Sequence, residues 1–193
     1  MLQASTTIRI LLTTALILLF PLVAMQFTHE VAWGPLDFAV AGVLLLGTGF
    51  TYELVARRGG TMAYRAAVGM ALGAALLLIW VNLAVGIIGS EDNPANLMYV
   101  GVLAVGLVGA GLARLEPRGM SRALFATALA QGLVPVIVLT TRGYSEPPGP
   151  FGLLALNACF VALFVGSALL SRRAASHGSE SPPATADTAR SGG

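Results

Sequence analysis

The chain has 193 residues, of which 56% are hydrophobic and 10% charged, with a formal net charge of +2 and a mean hydropathy of +0.81. A soluble domain carries about 25% charged residues, so this composition excludes one and points to an integral membrane protein. A pI near 9.1 does not imply nucleic acid, because the basic residues, all arginine, flank apolar runs instead of clustering on a solvated face.

About 20 apolar residues cross a bilayer core, and the charges leave six uncharged runs that hold most of the chain. The first, 10–28, follows Arg9. Its exit, Leu22-Val23-Ala24-Met25, lacks small residues at both positions a signal peptidase reads, so it is expected to stay as a helix over 8–27. The second run is short, but residues 36–56 together reach about 31 Å at 1.5 Å per residue. Four more helices are expected at 66–88, 94–113, 122–140 and 151–170. Gly34-Pro35, Asn93-Pro94 and Gly149-Pro150 each precede an apolar run; proline suits the first helical position, and Asn93 is a natural cap. The expected fold is an all-α transmembrane bundle of six helices over 1–173. A tail over 174–193, rich in Ser, Ala, Pro, Thr and Gly, cannot bury a core and is expected to be disordered.

Short loops rich in arginine stay in the cytoplasm. Arg57, Arg58 and Arg65 share one connection, Arg114, Arg118 and Arg122 another, and Arg9, Arg172, Arg173 and Arg190 lie near the ends. Only Arg142 falls opposite, beside Glu30, Asp37, Glu91, Asp92 and Glu146. Both termini are therefore expected to be cytoplasmic. Tyr52 and Tyr64 fall at the inner boundary, and Trp33, Tyr99 and Tyr144 at the outer one, as aromatic belts do.

Gly42-Val43-Leu44 with Gly47 and Gly101-Val102-Leu103 with Gly106 share one spacing, and Arg57/Arg65 and Arg114/Arg122 bracket the loops that follow. A tandem two-helix duplication and the small alphabet of membrane helices both account for this. Gly69 and Gly73 form a GxxxG spacing, and Gly101, Gly106 and Gly109 keep the fourth helix slim, which favours close packing or self-association.

Polar groups inside a bilayer carry a functional hypothesis by default. Asn82 and Asn157 lie about six residues from the expected outer ends of their helices, and Gln131 sits one turn before Pro135, whose missing N–H frees the carbonyl at 131. Together they are a candidate polar cavity in the outer half of the bundle, or amides that glue helices together. Glu91, Asp92, Asn93 and Asn96 concentrate in one outer hairpin and form a candidate contact loop. That loop supplies too few oxygens for a cation such as Ca²⁺, and capping accounts for Asp92, Asn93 and Pro94. Glu53 and Arg57 read as a helical ion pair, His29 and Glu30 as a solvated pair, and Cys159 as a small packing side chain.

No catalytic residue, metal site or cofactor is expected. Both histidines lie outside the spans, which excludes a bis-histidine haem. The chain has no HExxH, no lysine for a phosphate loop, and no acid near a midplane.

The run from Trp80 to Tyr99, with Trp80-Val81-Asn82-Leu83 leading into Gly89-Ser90-Glu91-Asp92-Asn93-Pro94-Ala95-Asn96, resembles a family of small multi-pass bacterial inner-membrane proteins of uncharacterised function. Arg118-Gly119-Met120-Ser121-Arg122-Ala123-Leu124-Phe125-Ala126-Thr127-Ala128 is similar to the same family, and the resemblance runs from about residue 10 to 140. It implies a bacterial inner membrane and supplies no activity. The expected role is non-enzymatic: an accessory or assembly subunit, partnered by the lipid bilayer and by a second copy or another membrane protein. The alternative is a small transporter or channel using Asn82, Gln131 and Asn157.

Overall fold

The computed structural model describes residues 4–27, 33–57, 61–142 and 146–177. Within them the chain is all-α: α1 (Ala4–Phe27), α2 (Pro35–Arg57), α3 (Met62–Ala84), α4 (Leu97–Leu112), α5 (Pro117–Arg142) and α6 (Gly149–His177), with a 3₁₀ turn at Pro94–Asn96 before α4. All six spans, that of α4 together with its 3₁₀ turn, are long and apolar enough to cross a membrane. This is a multi-pass membrane protein. His29, Glu30, Arg58, Tyr144 and residues 178–193 lie outside the described residues.

Several helix limits differ from those read in the sequence: α1 starts at Ala4 instead of 8 and α3 at Met62 instead of 66, and three further limits move as well. α3 stops at Ala84 instead of 88. Gly86 takes φ +71°, and the Val85 and Gly86 N–H groups both close back on the Val81 carbonyl, a glycine-terminated helix end. α5 starts at Pro117 instead of 122, because proline fits the first turn and the Met120 N–H bonds the Glu116 carbonyl at 2.8 Å. α6 runs on to His177, past the expected end at 170 and into the stretch assigned to the tail, with Ala174 buried. α5 stays helical through Pro135.

In space α6 is the centre. It packs most extensively on α5 and next on α3; α4 lies against α5, α2 against α3, and α1 chiefly against α2, while α3 and α4 barely touch. The result is a four-helix core, α3–α6–α5–α4, closed on three sides. The face α6 turns inward carries Leu153, Asn157, Phe160, Phe164, Ser167, Ser171 and Ala174, all buried. Their three- and four-residue steps trace one helical stripe.

Lipid is as apolar as leucine, so close packing and buried hydrogen bonds hold such a bundle together. The Ser167 hydroxyl donates to the Ala67 carbonyl, joining α6 to α3 at 2.5 Å. A Cβ on Gly166 would lie 3.3 Å from Met70 Sδ. Gly109 meets α5 so closely that an added Cβ would fall 2.8 Å from Ala123 Cβ, and one on Gly106 would fall 3.2 Å from Thr127 Oγ1. Gly109→Val is expected to push α4 off α5 and cost about 1–3 kcal/mol, seen as a lower midpoint for unfolding in mixed micelles.

Other small residues do not pack as their spacing suggested. Gly69 lies against the Tyr52 ring, while Gly73 and Gly101 face open space. Nor are the matched glycines of the apparent repeat equivalent: Gly42 faces Leu18 of α1 while its counterpart Gly101 does not meet a neighbour, and Gly47 faces open space while its counterpart Gly106 faces Thr127 of α5. Cys159 is exposed on α6 and packs no interior. Glu53 and Arg57 do pair, Nε to Oε1 at 2.6 Å, and Arg57 also donates to Thr6 of α1.

Candidate functional site

The end of the core where α3 stops and α4 begins is organised by Asn96. Its Oδ1 accepts from the Ile87 and Ile88 N–H groups at 3.2 and 2.9 Å, and its Nδ2 donates to the Ile88 and Ser90 carbonyls at 3.3 and 2.7 Å. One amide side chain thereby replaces the hydrogen bonds that the backbone loses where α3 ends. The loop folds inward, and Ile87 and Ile88 plug the bundle at 1% and 2% exposure. Asn93 caps the 3₁₀ turn by accepting from Ala95 N–H at 3.0 Å, and its Nδ2 donates to Glu146 at 3.1 Å. The four residues of the expected contact loop therefore divide. Glu91 and Asp92 are exposed, whereas Asn93 and Asn96 hold the loop itself. The cap is Asn93, not Asp92.

Asn96→Ala is expected to free the 87–90 backbone and cost about 1–3 kcal/mol. Hydrogen exchange at the Ile87 and Ile88 amides, accelerated in the variant, reads it directly.

Beneath this loop lies a polar cluster in the interior. Asn157 of α6 is its hub. Its Oδ1 accepts from Gln131 Nε2 at 2.9 Å and from the Tyr99 hydroxyl at 3.2 Å, and its Nδ2 lies 3.1 Å from the same hydroxyl and 2.8 Å from the Leu153 carbonyl. All three side chains are 1% exposed or less. The bonds join α4, α5 and α6, crossing the core from α4 to α6. Gln131 Oε1, buried in the same place, has no hydrogen-bond partner among the described residues.

Of the three amides expected to share a cavity, Gln131 and Asn157 thus meet, while Asn82 bonds to neither. Its Nδ2 donates to the Leu78 carbonyl of its own helix at 3.2 Å, and its Oδ1 is buried without a hydrogen-bond partner among the described residues. Tyr99, expected in an aromatic belt at the surface, is instead buried and completes the cluster. Tyr64 likewise turns inward, and its hydroxyl donates to the Leu115 carbonyl. The available signal for Tyr99 was its place three residues after Asn96, at the depth of Asn82.

Asn82 and Tyr99 also line a cleft of about 450 Å³ between α3 and α4, on the side of the core those helices leave open. Ile79, Leu83, Leu97, Val100 and Leu103 form its apolar walls; Glu91, Asp92, Asn93 and Asn96 form its rim. Its volume falls in the range of small-molecule sites. Among the described residues, no three His, Cys, Asp or Glu side chains gather into a group that would hold a metal ion.

No family model, curated protein or solved structure matches this chain. The family resemblance read from 80–99 and 118–128 therefore stands on those residues alone. The site's chemistry rests on its geometry: hydrogen-bond donors and acceptors, and a hydrophobic cleft under an acidic rim.

Proposed function

We propose that this is a non-enzymatic protein of a bacterial inner membrane, both termini cytoplasmic, acting as an accessory or assembly subunit that docks a membrane partner or a second copy through its outer face. The observation that carries this reading is the loop 85–96. It is ordered by Asn96 and Asn93, and so presents Glu91 and Asp92 from a rigid support. A preorganised loop loses less entropy on binding than a mobile one. The arginine asymmetry supports the orientation, and the resemblance of 80–99 supports the bacterial location. Purification of the full chain in a mild detergent is expected to return a stoichiometric partner or a homo-oligomer; a lone monomer overturns the reading. A reporter fused after Arg173 is expected to be active in the cytoplasm, and activity only outside would reverse the topology.

A second reading, a small transporter or channel, is favoured by the cleft and by the cluster behind it. Tyr99 is common to both: it lines the cleft and bonds Asn157, which bonds Gln131. Solute flux in vesicles that is lost in Asn82→Leu/Asn157→Leu, with folding retained, would support it. Unchanged folding and phenotypes in that double variant would end it.

A further inference from the structure

We propose that the groove between α5 and α6 holds an anionic phospholipid, with an acyl chain along the groove and the phosphate headgroup on Arg118, Arg122 and Arg172. This goes beyond both readings above and rests on neither.

The groove has a volume of about 520 Å³. Phe125, Leu129 and Leu133 wall it on α5, and Val161 and Val165 on α6. Gly132 leaves the gap between them, since a Cβ there would lie 3.7 Å from Val161. The three α5 walls are exposed, and every residue that lines the groove is apolar. In a bilayer such a face meets hydrocarbon. From Phe125 to Leu133 the groove runs about 12 Å at 1.5 Å per residue, within the roughly 15 Å that one leaflet contributes to the bilayer core. It therefore suits a length of acyl chain in a single leaflet.

The second observation is where the arginines stand. Arg118, Arg122, Phe125, Leu129 and Leu133 follow one another in steps of three or four, so both arginines continue the face of α5 that walls the groove. Val165 and Arg172 are seven residues apart, two turns along one face of α6. The start of α5 and the last turns of α6 also share one end of the bundle, because the beginning of α3 touches both: Tyr64 bonds Leu115 just before α5, and Ala67 bonds Ser167. From the point where Gly132 meets Val161, Arg122 is ten residues back along α5 and Arg172 eleven residues on along α6. Those steps are about 15 and 16 Å, which puts the two arginines level at the groove's end.

All three arginines are exposed, and among the described residues none has an ion-pair or hydrogen-bond partner for its side chain. The acids at that end, among the same residues, are Glu53, paired with Arg57, and Glu116. An apolar groove that ends at three uncompensated guanidinium groups matches a ligand with a hydrocarbon tail and a negative head. Guanidinium forks bind phosphate oxygens in pairs, and basic pockets between transmembrane helices take anionic lipid headgroups.

The test places the full chain in phosphatidylcholine nanodiscs with either of two probes that carry the same diazirine-bearing acyl chain, a phosphatidylglycerol or a phosphatidylcholine. Residues labelled on photolysis are mapped by mass spectrometry. The phosphatidylglycerol probe is expected to label Phe125, Leu129 and Val165 saturably and about fivefold more than its zwitterionic counterpart, while the two label α1 alike. Arg118→Gln/Arg122→Gln/Arg172→Gln is expected to abolish that preference. Lysine at the same three positions keeps the charge that guides insertion and is expected to retain most of it. Arg9→Gln/Arg57→Gln/Arg65→Gln removes as many charges from α1, α2 and α3 and is expected to leave the preference unchanged. Equal labelling of the groove by both probes overturns the site. So does an equal loss in the two glutamine variants, which would mean that net charge gathers anionic lipid around the whole end of the bundle. The two leaflets of such a nanodisc are alike, so the result does not depend on which end faces the cytoplasm.

Discussion

Asn157→Leu is expected to destabilise the bundle by about 2–3 kcal/mol, within the range for stranding two buried polar groups and above the average for interhelical bonds in membranes. The substitution leaves Gln131 Nε2 without its acceptor and takes the Asn157 amide away from the Tyr99 hydroxyl, among side chains that are 1% exposed or less. Among the described residues Gln131 is then left with neither end bonded, since its Oε1 has no partner there in the native protein. The penalty comes from the abandoned partners more than from the lost bonds. The triple variant Asn157→Leu/Gln131→Leu/Tyr99→Phe, which removes the whole cluster, is therefore expected to lie closer to the native stability than the single one. Equilibrium unfolding in mixed micelles measures both. A triple variant less stable than Asn157→Leu would mean that the cluster contributes net stability rather than merely being satisfied.

The other large effect is expected at Gly86. Its φ of +71° is a left-handed conformation that a β-branched residue adopts only with strain. A Cβ there would also collide with the Ser90 carbonyl group and the Glu91 nitrogen. Those are backbone atoms, so no side chain can swing aside to make room. Gly86→Val is expected to unfold the 85–96 loop, withdraw the Ile87 and Ile88 plug, and cost about 3 kcal/mol or more. Amide exchange at 87 and 88 is expected to rise while α5 and α6 stay protected. Unchanged protection at those two amides would show that the loop tolerates another path.

Both variants act at places where reading the chain and seeing it folded part company. The existence of six membrane-crossing helices follows from composition, since lipid demands long uncharged runs and permits backbone polar groups only when they are satisfied within the helix. The starts at Pro35 and Gly149 and the Glu53–Arg57 pair were equally legible, because proline geometry and a four-residue spacing are local. Gly86 was readable in principle as a helix stop. Its neighbours Val85, Ile87 and Ile88 are as apolar as any in α3, and they mask it.

The inward faces were harder to see. When both sides of a helix are apolar, no amphipathic stripe marks the core, so the expectation that Tyr64 and Tyr99 form belts rested on depth alone. Their actual direction depends on partners far along the chain: Leu115 for Tyr64, Asn157 for Tyr99. The turn that receives Tyr64 is itself unannounced, with Arg114 and Leu115 both at positive φ and no glycine at either position.

The amino-acid order by itself determined the number of spans, the places where several begin, and the short list of interior amides, because solvation by lipid acts on each segment separately. Tertiary structure alone decided that α6 lies between α3 and α5, that Asn157 meets Gln131 and Tyr99 but not Asn82, and that α3 and α4 stand apart over a cleft. Those outcomes depend on how small residues let helices approach one another. That is a property of pairs of surfaces, and no single segment contains it.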